Sequence, residues 1–400
     1  MTTIKLTKLI QAPPSEVFQY FTNSTDLRDW LSDIATVDAR PEGRFYLGWN
    51  SNYYTSGEYL IVKPNDAVSF TWLGRGEPHA TRVDVTLRKK KGGTLVKLAH
   101  RKIGKSQKWE AIGEEYEKQW DKALDNLTSV LENGPDLRIT SRPLLGIYPD
   151  ELNSTVAQKL GVPVMRGVHL VGVLDGMGAQ KAGLQFDDVI TALDDHEVTG
   201  TGSFITYMGN KRVGDVIDVT YYRCAEKHIA KMTLSGRSIP QIPASGKELA
   251  SQLESVYRFH ENEVGAILKA ASEEECARKP APSEWSANEV LAHLIHSELG
   301  WQNIVTEILT GYQGAYDGWG GNVQAHIDGT VETFPSKTRL LEELKNHDAE
   351  TLSMYNHIPA DFLSHKGRWW KLVLQAHDNS NHLKDHLQQI RAAIGSAKQS

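Results

Sequence analysis

At 400 residues the chain exceeds what one hydrophobic core usually serves, so roughly two to four domains are expected. Its composition, 40% hydrophobic and 24% charged with a formal net charge of −6, is that of an ordinary globular protein and leaves no broad basic surface for nucleic acid. Two cysteines, Cys224 and Cys276, exclude a disulfide framework or a cysteine-based metal site, and no apolar run approaches the ~18–20 residues that span a bilayer. The first ten residues alternate like a strand and lack a signal-peptide core, so a cytoplasmic protein with no membrane partner is expected.

In chain order, Ile4–Ile10 alternates as a strand, and Pro13-Pro14-Ser15 opens a helix carrying Val17, Phe18 and Phe21 on one face. Strands follow at Gly43–Trp49, Gly57–Val62, Ala67–Trp72, Thr81–Arg88 and Thr94–His100. The basic cluster Arg88-Lys89-Lys90-Lys91 before Gly92-Gly93 reads as a solvated hairpin turn. A helix from about Trp109 to Leu131 puts Tyr116, Trp120, Leu124, Leu127 and Leu131 on one stripe. A curved antiparallel sheet gripping one long helix is the economical arrangement. The motifs Ala12-Pro13, Val17-Phe18, Phe21, Asp26-Leu27, Trp30, Arg40-Pro41-Glu42-Gly43-Arg44-Phe45, Gly57-Glu58-Tyr59-Leu60, Phe70-Thr71-Trp72 and Gly92-Gly93-Thr94 resemble the helix-grip (START-like, SRPBCC) superfamily. Within it they are most similar to the branch related to activators of the Hsp90 ATPase. The resemblance implies a cavity for a small hydrophobic ligand, with Trp49, Trp72, His100 and Trp109 as its lining, or ordinary core aromatics in those places.

A Gly-Pro break at Gly134-Pro135 ends this module, and the stretch 235–246, rich in Ser, Gly and Pro, ends the next. Between them, Leu144-Leu145-Gly146-Ile147, Gly167-Val168-His169-Leu170-Val171, Ala182-Gly183-Leu184, Asp187-Asp188-Val189-Ile190 and Tyr221-Tyr222-Arg223 resemble a PDZ domain of the kind attached to HtrA-type proteases. The apolar–Gly–apolar turn Leu145-Gly146-Ile147 can direct backbone N–H groups at a peptide C-terminus, and the strand after it can pair with an extended peptide. The pattern departs from the family at Asp187, where a glycine is usual, and at Met177-Gly178-Ala179-Gln180, where Pro-Ala is usual. No protease motif accompanies the module.

From 247 onward the pattern is helical: Leu249–Ala271, a second helix capped by Ser286 with Glu289, a third over about Ser336–Asn356, and a fourth over about Trp369–Ile394. Four helices and a long connection over 311–330 predict an up-down bundle. At ~100° per residue His293 borders the apolar face of the second helix, whereas His296 lies nearly opposite. On the fourth helix His382 and His386 are four apart and share a face, and His377 points away from them. Three imidazoles on facing helices suit one divalent ion with coordination positions left open. The segments Trp285-Ser286, Val290-Leu291, His293-Leu294, Glu298 and His382-Leu383-Lys384-Asp385-His386-Leu387-Gln388-Gln389-Ile390 resemble the DinB/YfiT-like bundles. That resemblance implies Zn, Ni or Fe on His293, His382 and His386, holding a low-molecular-weight thiol as thiolate for attack on an electrophile. Glu298 projects towards the apolar face, either as an outer partner of the ligands or in an i, i+4 contact or solvent, and Trp319 and His326 in the long connection could border the site. Bundles of this kind can pair as homodimers, a state the sequence leaves open.

The expected fold class is multidomain α+β: a helix-grip α/β module at 1–134, a mostly β PDZ-like module at 140–236 and an all-α four-helix bundle at 246–396, each folding independently. The function expected is a binding or adaptor protein of stress or small-molecule response, with a ligand cavity, a peptide groove and a three-histidine metal site. A metal-dependent thiol S-transferase or isomerase is the alternative, without an assignable catalytic residue, and a modulator of an Hsp90-type ATPase stands third.

Overall fold

A computed structural model of the protein describes residues 2–209, 211–282, 284–311 and 324–399, the side chains at 383, 385 and 399 apart. The described chain groups into two compact units, one made of 1–135 with 240–400 and one of 136–239.

The first unit opens with β1 (Thr2–Ile10), α1 (Pro14–Gln19), α2 (Ser24–Trp30), β2 (Ile34–Val37), β3 (Arg44–Gly48), β4 (Tyr54–Lys63), β5 (Ala67–Gly74), β6 (Thr81–Lys90), β7 (Gly93–Ile103) and α3 (Gln107–Glu132). The strands form one antiparallel sheet in the order β1-β7-β6-β5-β4-β3-β2. Period-two patterning decides its buried face: Val83, Val85 and Leu87 on β6 point inward with Val96 and Leu98 on β7. Against them α3 lays Trp120, Leu124, Leu127 and Leu131, the stripe read from the sequence. The basic cluster turns between β6 and β7 as a hairpin. Two elements escaped the sequence reading, α2 and β2. The first begins where the Asn23 side chain accepts from Thr25 N (2.9 Å) and Asp26 N (3.2 Å), an N-cap on a helix too short to show periodicity.

Unit two comprises α4 (Leu137–Thr140), β8 (Ile147–Glu151), α5 (Ser154–Leu160), β9 (Val168–Val173), α6 (Gly178–Lys181), β10 (Val189–Leu193), β11 (His196–Glu197), α7 (Thr201–Met208), β12 (Val216–Arg223) and β13 (Glu226–Thr233). Its sheet runs β13-β12-β10-β9-β8, with β11 beside β10, so β8 is an end strand. Val168 and Leu170 on β9, Ile190 and Leu193 on β10 and Val219 on β12 are buried in its core.

The chain then returns to the first unit through α8 (Gly246–Lys269), α9 (Glu273–Ala277), α10 (Ala287–Thr310), α11 (Gln324–Thr333), α12 (Lys337–Asn356), a 3-10 turn (Ala360–Ser364) and α13 (Lys366–Gln399). The four long helices expected are α8, α10, α12 and α13, and part of the connection expected between the second and third is helical too, as α11. The start of α13 docks on the sheet module. Arg368 Nη2 meets Asp26 Oδ1 at 2.5 Å and Lys371 Nζ meets Asp29 Oδ1 at 2.9 Å, both carboxylates being buried. The first sheet module and the bundle are therefore packed into one body, joined by buried ion pairs.

Candidate metal centre

The register of α10 is set by its cap. Ser286 N donates to Glu289 Oε2 (2.8 Å) and Glu289 N to Ser286 Oγ (3.2 Å), while Lys279 Nζ lies 2.7 Å from Glu289 Oε1. Burial pushes the Glu289 carboxyl up, but the bonds from Lys279 and Ser286 outweigh it and hold the group below its ordinary range. One turn further on, His293 faces α13, where the i, i+4 spacing puts His382 and His386 side by side.

The three rings converge. Their centroids lie 4.6 Å apart for His382 and His386, 4.7 Å for His293 and His386, and 5.2 Å for His293 and His382. One ring nitrogen from each falls within 4.8 Å of the others. His382 Nε2 and His386 Nε2 are 3.1 Å apart, and His386 Nδ1 lies 2.7 Å from Gln389 Oε1. An amide oxygen only accepts, so Nδ1 carries the proton and Nε2 of His386 presents its lone pair to the other rings. Two such nitrogens at this separation need a proton or a cation between them. Tetrahedral coordination at about 2.0–2.1 Å places ligand nitrogens roughly 3.4 Å apart, close to the 3.1 Å between His382 and His386, and the types of donor suit a borderline divalent ion. Trp285 packs over His293 (5.1 Å between ring centroids), with its Nε1 3.4 Å from Gln324 Oε1. Trp285 and Gln389 also line an open groove of about 400 Å³ with Pro280, Glu284, Ala393 and Ser396. That groove had no signal in the sequence beyond the apolar spacing of the last helix.

His296 and His377 do not join the cluster. His296 Nε2 bonds Thr330 Oγ1 (2.7 Å) and lies 3.1 Å from the His326 carbonyl, which places His326 beside His296 on α11. Trp319 lies outside the described residues. Glu298 sits elsewhere: its carboxylate accepts from Tyr257 OH (3.1 Å) and Asn379 Nδ2 (2.9 Å) in the bundle core. Five residues past His293 is about 140° around a helix, so a partnership with that ligand is geometrically remote. Near Glu298 lies an acid the sequence reading missed. Asp348 is fully buried, and burial, then the Glu298 and Glu261 charges, push its carboxyl up to about 9. Its position in the Leu340, Leu344, Asp348, Thr351, Tyr355 stripe was the available signal.

In the sheet module, Trp72 brings Trp49 (6.2 Å) and His100 (6.1 Å) into one aromatic cluster, whereas Trp109 packs on His79 at 4.6 Å. His100 has no exposure: Trp120 Nε1 donates to its Nδ1 (3.1 Å) and Thr81 Oγ1 lies 2.7 Å from its Nε2. Burial pulls its pKa down to about 3.

In the second unit Leu145, Gly146 and Ile147 form the turn into β8. Gly146 has φ +86°, and a Cβ there would stand 2.3 Å from Met177 Cβ, so both backbone and packing require glycine. Asp187, where the family pattern has glycine, indeed occupies the left-handed region at φ +69° and bonds His169 Nε2 at 2.8 Å. The unexpected Met177–Gln180 stretch is ordered by Gln180, whose Oε1 accepts from Gly176 N at 2.7 Å.

Comparison with known proteins matches three segments of the chain. Residues 11–132 match the family described as Activator of Hsp90 ATPase homolog 1-like protein, residues 143–234 the PDZ domain, and residues 257–390 the DinB superfamily. The three resemblances read from the sequence, and the fold of each module, are borne out in that order. Curated relatives include a probable periplasmic serine protease do/HhoA-like of Haemophilus influenzae, 32% identical over 101 residues, 25% of this chain and 22% of that protein. The periplasmic serine endoprotease DegP of Escherichia coli is 31% identical over 123 residues, 30% of this chain and 25% of that protein. The chain thus spans about a quarter of the length of the curated relatives it matches. Similar solved structures include the Aha1 dimer from Colwellia psychrerythraea (19% identity, TM-score 0.31, covering 34% of this chain and 98% of that one). Another is an HSP90 activator from Plasmodium falciparum (25% identity, TM-score 0.29, covering 33% of this chain and 96% of that one). No helix among the described residues is long and apolar enough to cross a membrane.

Proposed function

We propose that this multidomain binding protein holds one divalent metal ion, Zn, Ni or Fe, on His293, His382 and His386, and takes up a peptide C-terminus at the Leu145–Ile147 turn. The observation that supports the metal reading is the pair of Nε2 atoms 3.1 Å apart, one of them fixed as a lone-pair donor by Gln389. His293 completes a three-nitrogen set that leaves coordination positions to a small ligand. When bound, the ion would supply Lewis acidity that lowers the pKa of such a ligand, a thiol for example. The residues around it have separate tasks: Gln389 orients His386, and Trp285 covers His293 from the side of the groove. In the sheet module a small hydrophobic ligand would enter beside Trp49, since Trp72, His100 and Trp109 are closed in the core.

The test is elemental analysis of the full chain purified without added metal and then offered Zn²⁺, Ni²⁺ and Fe²⁺ in turn. One equivalent in the wild type, and its loss in His382→Ala, is expected. Failure to take up any of the three sinks the reading. The groove beside the triad favours a second reading, thiol transfer to a small electrophile, for which metal-loaded protein must accelerate thiol-dependent consumption of a model electrophile. Modulation of an Hsp90-type ATPase rests on residues 11–132 alone and stands behind both.

A further inference from the structure

We infer that the slot between β8 and α7 accepts only the last two or three residues of a peptide, and that Pro149 and Glu151 set this limit. The inference rests on the peptide-binding reading above and concerns what the strand edge can offer. The Gly146 carbonyl accepts from Leu174 N at 2.9 Å, so Gly146 turns its backbone groups towards β9. Along an antiparallel strand such residues alternate with residues facing away. The irregularity in this ladder pairs Tyr148 with Gly172 and Pro149 with Leu170, so the extra residue is Val171 of β9 and the phase of β8 is kept. Tyr148 and Asp150 therefore face β9, whereas Ile147, Pro149 and Glu151 face the free edge.

That edge has few donors. Pro149 carries no N–H, and the Glu151 N–H is bound to Asp150 Oδ1 at 2.8 Å. A peptide strand laid along β8 can donate to the carbonyls of Ile147 and Pro149 but finds no return bond after Ile147. Beyond Pro149 the way is also bridged. Glu151 Oε1 accepts from Thr201 N at 2.9 Å and from Thr201 Oγ1, and a Cβ on Gly200 would stand 2.6 Å from Glu151 Oε2. The last residue of β8 is thus tied to the first residue of α7. Thr201, Ile205 and Met208 share a helix face at i, i+4 and i+7, and Thr201 of that face meets β8. Ile205 is 55% exposed, an apolar wall for a terminal side chain. The occupant that fits is a free C-terminus ending in an aliphatic residue, read over two or three residues and then released to solvent.

The experiment is calorimetric titration of the full chain with synthetic peptides of two, three, five and eight residues, each ending in Val with a free carboxylate. Affinity is expected to rise to the tripeptide and then stay level within about threefold. In Pro149→Ala/Glu151→Ala, checked for folding by circular dichroism, the octapeptide gains about fivefold from the one hydrogen bond restored, at residue 149, and binds more tightly than the tripeptide. Wild-type affinity that climbs tenfold or more from three to eight residues overturns the length limit but leaves peptide binding standing. An unchanged plateau in the double variant overturns the assignment to these two residues. Absence of binding at every length, or equal binding of amidated peptides, overturns the peptide-binding reading and this inference with it.

Discussion

His100 in the sheet module and the His382–His386 pair in the bundle are both histidine environments rich in aromatic neighbours, yet they are built for opposite ends. Trp120 Nε1 can only donate, so it fixes His100 Nδ1 as the acceptor. Nε2–H then donates to Thr81 Oγ1, whose own hydrogen goes to the Trp72 carbonyl at 3.0 Å. Every donor and acceptor in that chain is matched. In the bundle, Gln389 satisfies one nitrogen of His386 and leaves the other aimed at a second imidazole nitrogen. The difference lies in hydrogen-bond arithmetic, not in burial. A closed chain of donors and acceptors marks a structural histidine, whereas converging ring nitrogens are what the proposed metal reading requires.

The sharpest way to break this comparison is to delete the structural ring. His100→Ala leaves the Trp120 N–H buried without its acceptor and opens a cavity, so a loss of about 2–4 kcal/mol is expected in urea denaturation. Metal content per chain should stay at the wild-type value; a parallel loss of metal would mean that the two environments are not separate. The pH dependence sharpens the same point. The folded pKa of His100, about 3, lies below the unfolded value of 6.5, so between those values the unfolded chain binds the extra proton. Its stabilising contribution is complete above pH 6.5 and is lost as the pH falls towards 3, by about 2 kcal/mol at pH 5. Denaturation at pH 7 and pH 5 measures it, and a wild type as stable at pH 5 as at pH 7 would contradict it.

On the other side of the comparison, Gln389→Leu removes the acceptor that orients His386. Metal affinity should fall about 10–100-fold in competition with a chromophoric chelator, while the melting temperature of the metal-free protein changes little. The smallest effect is expected at His296→Ala. Its bonds go to Thr330 and the His326 backbone, so stoichiometric metal binding should persist and stability should shift by no more than about 1 kcal/mol. Loss of the metal in this variant would move the site.

Much of this was legible in advance, and the reasons are local. The Ser286–Glu289 cap fixes the face of His293 and the His-x-x-x-His spacing puts His382 and His386 side by side, because helix periodicity is rigid; that the two helices face each other is what the resemblance to DinB-like bundles supplies. Gly146 was legible as a turn residue, though its cause, the approach of Met177, lies thirty-one positions away in sequence. What could not be read are consequences of packing between elements. Trp285 over His293, the bridge from Glu151 to Thr201 and the buried acid Asp348 each depend on which helix or strand lies opposite. Glu298 was legible as inward-facing, but only the neighbouring Tyr257 and Asn379 show that it belongs to the core.

The docking of α13 carries a consequence for inheritance. Asp26 and Asp29 belong to a segment of one family, and Arg368 and Lys371 begin the closing helix of the bundle, 342 positions away. Exchange of either segment for a relative's would strand a buried charge unless the partner changed with it, at a cost of about 3–5 kcal/mol for each broken pair. Either stretch can therefore be exchanged without loss only together with the other, although the residues between them match a third family.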